Sequence, residues 1–175
     1  MSKRPGRTYR TIKRPWTRVS QRRPKMSFAV GVPDSKIHVF EMGNRKKQFD
    51  TKLYLTAEQP VQVRDSSLEA SRISANKYLE NAVGPDNYFM KVLLYPHQIL
   101  REHTLATGAG ADRFSMGMRK AFGRPKGRAA IVTPGKRIMM VSINRKHLDV
   151  AKMALKRADH KISTPCKIEV ESLSL

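Results

Sequence analysis

Between two hydrophobic runs that read as strands lies an interval that no core can absorb. Arg101 to Arg128 reads Arg-Glu-His-Thr-Leu-Ala-Thr-Gly-Ala-Gly-Ala-Asp-Arg-Phe-Ser-Met-Gly-Met-Arg-Lys-Ala-Phe-Gly-Arg-Pro-Lys-Gly-Arg. It holds seven Lys/Arg, two acids and five glycines. A connection of this length in a small domain is functional or disordered. The flanking segments must therefore supply the fold, and the interval must project from it.

Charge says what it projects toward. The chain of 175 residues carries a formal net charge of +21. A folded body repels itself at such a charge, so a polyanionic partner is implied. Residues 1–25 hold ten Lys/Arg and no acid, and taking those ten from +21 leaves +11 on residues 26–175. The body is thus basic in its own right. The first segment shows no apolar period of 2 or 3.6, so it is expected to remain an extended tail that cannot bury itself. Its forks and rings suit phosphates and unpaired bases. The expected RNA contacts there are Arg4, Arg7, Tyr9, Arg10, Lys13, Arg14, Trp16, Arg18, Arg22, Arg23 and Lys25.

The rest of the chain supplies one scaffold. Ile37, Val39 and Phe40 read as a first strand. Leu53/Leu55 and Val61/Val63 alternate with polar or amphipathic residues, which predicts sheet with one wet face. Ser66 and Glu69 suit a capping box, and Leu68, Ala75, Leu79 and Ala82 share one helical face ending at Gly84-Pro85. Tyr88 to Leu94 reads as a buried strand, with extended chain resuming at Gln98. Ala129–Thr133 and Arg137–Asn144 read as a hairpin about Pro134-Gly135. A second helix starting near Asn144 would line up Leu148, Ala151, Leu155 and Ala158. Cys166, Ile168 and Val170 close the chain as a strand. Without a βαβ repeat, the fold class is α+β, with mostly antiparallel strands and two main helices. Residues 1–26 form the basic extension and residues 27–175 one domain, with the loop at 101–128 protruding.

Within the loop, Thr104 to Ala111 is small and glycine-bearing, hence mobile when nothing holds it. Asp112 to Phe122 suits a short helix with Asp112 as its N-cap. Phe114, Met118 and Phe122 would fall on one stripe, expected to pack. The cations Arg113, Arg119, Lys120, Arg124, Lys126 and Arg128 would neutralise phosphate, with Gly123 and Gly127 allowing close approach.

Other functions find little support. Gly108-Ala-Gly110 lacks both the third glycine of a dinucleotide fingerprint and the Gly-Lys-Ser/Thr of a P-loop. The five histidines show no metal-ligand spacing, and the single Cys166 allows no internal disulfide. His103 reads as a phosphate or base contact rather than a general base. No cofactor or metal is expected. An RNA-processing or RNA-modifying enzyme remains the alternative, and a DNA-binding protein a third, although neither helix gathers base-reading side chains. No apolar stretch approaches the ~18 residues of a membrane span, and the expected compartment is the cytoplasm.

Four runs carry a resemblance. They are Gly31-Val-Pro-Asp-Ser-Lys-Ile37, Leu68-Glu-Ala-Ser-Arg-Ile-Ser-Ala-Asn-Lys-Tyr-Leu79, Tyr95-Pro-His-Gln-Ile-Leu-Arg101 and Gly110-Ala-Asp-Arg-Phe-Ser-Met-Gly-Met-Arg-Lys-Ala-Phe-Gly-Arg-Pro-Lys-Gly127. They resemble the large-subunit ribosomal protein family called "L ten e" in archaea and eukaryotes and "L sixteen" in bacteria. The resemblance implies an α/β hammerhead-like sandwich set in a cleft of the large rRNA near the 5S rRNA. It implies a non-catalytic role in shaping the A-site, with late entry into the subunit beside neighbouring ribosomal proteins and assembly factors. It implies that the central loop points toward the peptidyl-transferase centre and the A- and P-site tRNAs. Thr107, Gly108, Ala109, Gly110, Ala111, Asp112, Arg113, Met116, Arg119 and Lys120 would be its tRNA-proximal residues.

Overall fold

The computed structural model describes residues 4–11, 22–23, 29–103, 105, 108–115, 117–119 and 122–172. Among the described residues, eight strands and three α-helices alternate irregularly. They run β1 (Glu41–Gly43), β2 (Thr51–Ala57), β3 (Val61–Arg64), α1 (Asp65–Val83), β4 (Tyr88–Val92), β5 (Gln98–Glu102) and α2 (Ala111–Phe114). Then come β6 (Arg124–Val132), β7 (Arg137–Ile143), α3 (Leu148–Asp159) and β8 (Cys166–Ser172). A five-stranded sheet has the order β1-β4-β7-β2-β8, and a three-stranded sheet the order β3-β6-β5. Every described pairing is antiparallel. The α+β class expected from the sequence is the observed one.

The core forms where apolar periods from both sheets meet the two long helices. Leu53 and Leu55 of β2, Met90 of β4 and Val141 and Ile143 of β7 are buried together with Leu68, Ala75 and Leu79 of α1. Ala151, Ala154, Leu155 and Ala158 complete it from α3, which packs against α1. The alanines let the helices approach, since they add no bulk between them. Val61 and Val63 of β3 join Ala130 and Val132 of β6 in the same core, so the small sheet shares it. Of the face predicted for α3, Ala151, Leu155 and Ala158 are buried, whereas Leu148 is half-buried and Ala154 joins them; the helix starts at Leu148, after a 3-10 turn over Arg145–His147, and not near Asn144.

Several local expectations give way to tertiary contacts. Ile37 to Phe40 is not strand; the first strand begins at Glu41, although the Phe40 carbonyl still accepts from Val92 N–H at 2.8 Å. The wet face expected of β2 is covered, with Tyr54 buried under the Arg137 guanidinium at 3.8 Å. The Ser66–Glu69 capping box does not form. Arg64 is the N-cap without a side-chain bond, and Asp65 takes over the role of acceptor. Its carboxylate accepts from Ser66 N–H at 2.7 Å and from Lys36 N–H at 2.9 Å. Glu69 instead pairs with Arg72 at 2.6 Å. Ala82 is exposed where packing was expected, and Ser71 takes the buried place on that face. The helix stops as expected at Gly84, whose φ of 85° no residue with a Cβ adopts readily.

The Pro134-Gly135 turn is real but does not close a hairpin. Lys136 N–H donates to Thr133 O at 3.1 Å around Gly135 at φ 79°, which is a type II turn. Its neighbours, however, part company: β6 pairs with β3 and β5, and β7 with β2 and β4. Gly135 N–H donates to Ala57 O at 2.8 Å, and Ala57 N–H to Lys136 O at 3.0 Å. The turn is a corner between sheets, tied to the end of β2.

Candidate nucleic-acid interface

β5 and β6 hold the ends of the loop side by side. Their register runs from Gln98↔Ala129 to Glu102↔Arg124, with a shift between Leu100 and Arg101. Arg124, Lys126 and Arg128, grouped with the loop by sequence, are therefore strand residues at its base. Arg124 and Lys126 are exposed; Arg128 is half-buried and donates to Pro33 O at 3.0 Å. The free connection is residues 103–123.

Its root is pinched. An added Cβ on Gly123 would lie 2.9 Å from Glu102 C and 3.0 Å from His103 N, and the residue has φ +75°. Only glycine fits there without displacing backbone. Arg101 donates to Gly123 O at 3.2 Å and lies 4.3 Å over the Phe122 ring. His103, read from sequence as a phosphate or base contact, braces the loop internally, with Nε2 2.9 Å from Gly117 O.

Beyond the root, among the described residues, the helix expected over Asp112–Phe122 is one turn, α2. Gly110, in the left-handed region at φ 78°, is its N-cap, so Asp112 lies inside the turn and does not cap it. Ser115 ends it with extended backbone. The stripe expected to pack does not: Phe114 is 90% exposed, Met118 73% and Phe122 58%. Gly108, Ala109, Gly110, Arg113 and Arg119 are exposed beside them, and Ala111 is partly covered. Thr107, Met116 and Lys120 lie outside the described residues, as do Lys13, Arg14, Trp16, Arg18 and Lys25. Arg7, Arg22 and Arg23 are exposed.

The arm differs most from expectation, because residues 4–11 dock on the body. Gly6–Tyr9 forms a 3-10 turn. Gln62 N–H on the edge strand β3 donates to Arg10 O at 3.3 Å, and the Gln62 amide donates to Thr11 O at 2.6 Å. The Arg64 guanidinium donates to Arg4 O at 2.7 Å. Arg10 reaches Gln59 Oε1 at 3.0 Å. An edge strand with unpaired backbone groups is a template for such a segment. The docking uses backbone groups, so no apolar period in the arm announces it.

The acid that anchors the arm is Glu102, at the end of β5 where the loop begins. Arg4 Nε donates to it at 2.6 Å and the Tyr9 hydroxyl at 3.3 Å. The Arg4 bond, then its charge, then the Tyr9 bond and Lys126 hold the carboxyl below the usual carboxylate range, against some desolvation. Burial, then the Glu102 charge, push the Tyr9 phenol up. Sequence reasoning missed Glu102. Its signal was a lone acid next to His103 at the threshold of a cationic run. Among the described residues no cluster of His, Cys, Asp or Glu could hold a metal. Burial, then a bond to Asp159, push the Cys166 thiol up to about 12, which keeps it protonated and unreactive at neutral pH.

Comparison with known proteins decides the family. The description "Ribosomal protein L16p/L10e" matches residues 15–169. The chain belongs to that family. "Large ribosomal subunit protein uL16" of Archaeoglobus fulgidus is 46% identical over 171 residues, covering 98% of this chain and 94% of the relative. The protein of the same name from Picrophilus torridus is 47% identical over 171 residues, covering 97% and 93%. That from Thermofilum pendens is 44% identical over 172 residues, covering 98% of each. Within this L16p/L10e chain no helix among the described residues is long and apolar enough to cross a membrane.

Proposed function

We propose that this L16p/L10e chain is a structural, non-catalytic constituent of the large ribosomal subunit. It binds large-subunit rRNA and helps position A- and P-site tRNA near the peptidyl-transferase centre. Residues 27–175 act as one rRNA-binding domain and residues 1–26 as its basic extension. The 5S rRNA neighbourhood, adjoining ribosomal proteins and assembly factors are its other partners.

One observation carries the reading. A hairpin of two strands holds a connection that presents Arg113 and Arg119 together with the exposed Phe114 and Met118. A phenyl ring and a thioether kept in water beside cations are poor use of a free protein surface. They suit a nucleic-acid host, where cations meet phosphate and rings meet bases. The relatives' shared name, a large-subunit protein, supports the same host.

The test separates positioning from anchoring. Arg119→Glu with Lys120→Glu is expected to slow tRNA accommodation on reconstituted subunits more than it weakens incorporation of the protein. Equal losses would make the loop an anchor and contradict the tRNA assignment.

A further inference from the structure

Residues 93–97 cross from the large sheet to the small one and carry an aromatic ladder into solvent. The segment is tightly held. Leu93 N–H donates to Ile138 O at 2.9 Å, and His97 N–H to Tyr95 O at 3.0 Å across the buried Pro96. That short turn brings the Tyr95 and His97 rings to 4.7 Å between centroids, tilted by 52°. Phe40 stacks on Tyr95 at 5.7 Å and 25°. Tyr95 is nonetheless 46% exposed. The ladder borders a groove of about 340 Å³ whose lining includes Leu93, Ile131 and Lys136 and no carboxylate. Lys136 enters none of the ion pairs among the described residues.

We propose that the Tyr95–His97 ledge is a docking site for one unpaired RNA base, with Lys136 meeting the adjoining phosphate. The inference rests on the reading of the partner as RNA, and it adds a contact away from both loop and arm. Three features point to a base. Ring faces stack on any nucleobase, whatever its identity. The rings are already ordered by the Pro96 turn and by Phe40, so little freedom is lost on binding. The one charged side chain at the rim is a cation, which complements a phosphate and gives an acidic residue's absence a purpose.

The test uses the full chain and two probes: an adenylate RNA hexamer with 2-aminopurine at its centre, and large-subunit rRNA. Stacking on the ledge should quench the 2-aminopurine fluorescence. Tyr95→Ala should remove the quench and weaken hexamer binding roughly tenfold to a hundredfold, while rRNA binding, spread over many contacts, changes only a few-fold. Tyr95→Phe should keep both quench and affinity, which excludes misfolding as the cause. Lys136→Ala should keep the quench and flatten the salt slope of hexamer binding by about 0.7. Unchanged quench and affinity in Tyr95→Ala would overturn the ledge, leaving an apolar protein segment as its occupant and rRNA binding intact. Failure of the unaltered chain to bind rRNA would instead count against the proposed function, and against the ledge with it.

Discussion

Glu102 joins the arm to the root of the loop, and its ionisation adds to the bonds that Gln62 and Arg64 make to the same segment. Its carboxyl is held below the usual range, chiefly by Arg4. A depressed carboxylate contributes above its unfolded pKa, and the contribution is lost as pH falls through the folded value. The Glu102 contribution to docking is therefore present at neutral pH and lost below the ordinary carboxylate range of about 4, which loosens the arm. Gln62 N–H, bonded to Arg10 O, reports on this. Its protection factor, the intrinsic rate at each pH divided by the observed one, should fall in Glu102→Gln at neutral pH and in the unaltered chain in acid; unchanged protection would show that the arm is held elsewhere. Gly123 makes a second case. Alanine there meets both left-handed strain, roughly 1–2 kcal/mol, and backbone within 3.0 Å. At Gly110 nothing lies within 4 Å of an added Cβ, so only the strain remains. Urea unfolding should show Gly123→Ala as the less stable of the two.

The packing of α3 on α1 and the sheet is what holds the elements together. Leu155 is fully buried there. Leu155→Ala should cost about 2–5 kcal/mol, measured as a lowered urea midpoint with the slope unchanged. This part was legible in the sequence, because a period of 3.6 over Leu148 to Ala158 names a face without reference to any partner. Most strands were legible from their own alternation, Ile37 to Phe40 excepted, whereas strand partnership was not. Pro134-Gly135 specifies a turn, but the partners of β6 and β7 depend on the end of β2, far away in sequence. The Ser66–Glu69 signature lost because Asp65 offered a better-placed acceptor and Arg72 a better partner for Glu69. In the loop, i, i+4 spacing of Phe114, Met118 and Phe122 suggested a helix. Phe114 and Met118 stay exposed, and an unburied helix of that length is marginal. The exposed rings were the more useful finding, since they mark where a partner is needed.

On the scale of the molecule, cations outnumber acids by 35 to 14, and the fold does little to offset the excess. Seven ion pairs are formed among the described residues, largely at the surface. Exposed pairs of this kind contribute little. The charge is thus held in reserve for a host, and docking residues 4–11 on the body leaves Arg7 at the surface. If arm, strand β6 and loop together meet ~6–10 phosphates, affinity should depend steeply on salt. The decisive measurement is a salt titration of the full chain binding folded large-subunit rRNA, with duplex DNA as competitor. A fall of about 10³–10⁵ in affinity between 50 and 200 mM salt, with rRNA preferred throughout, is the predicted result. Salt-insensitive binding, or equal affinity for duplex DNA at matched ionic strength, would contradict it.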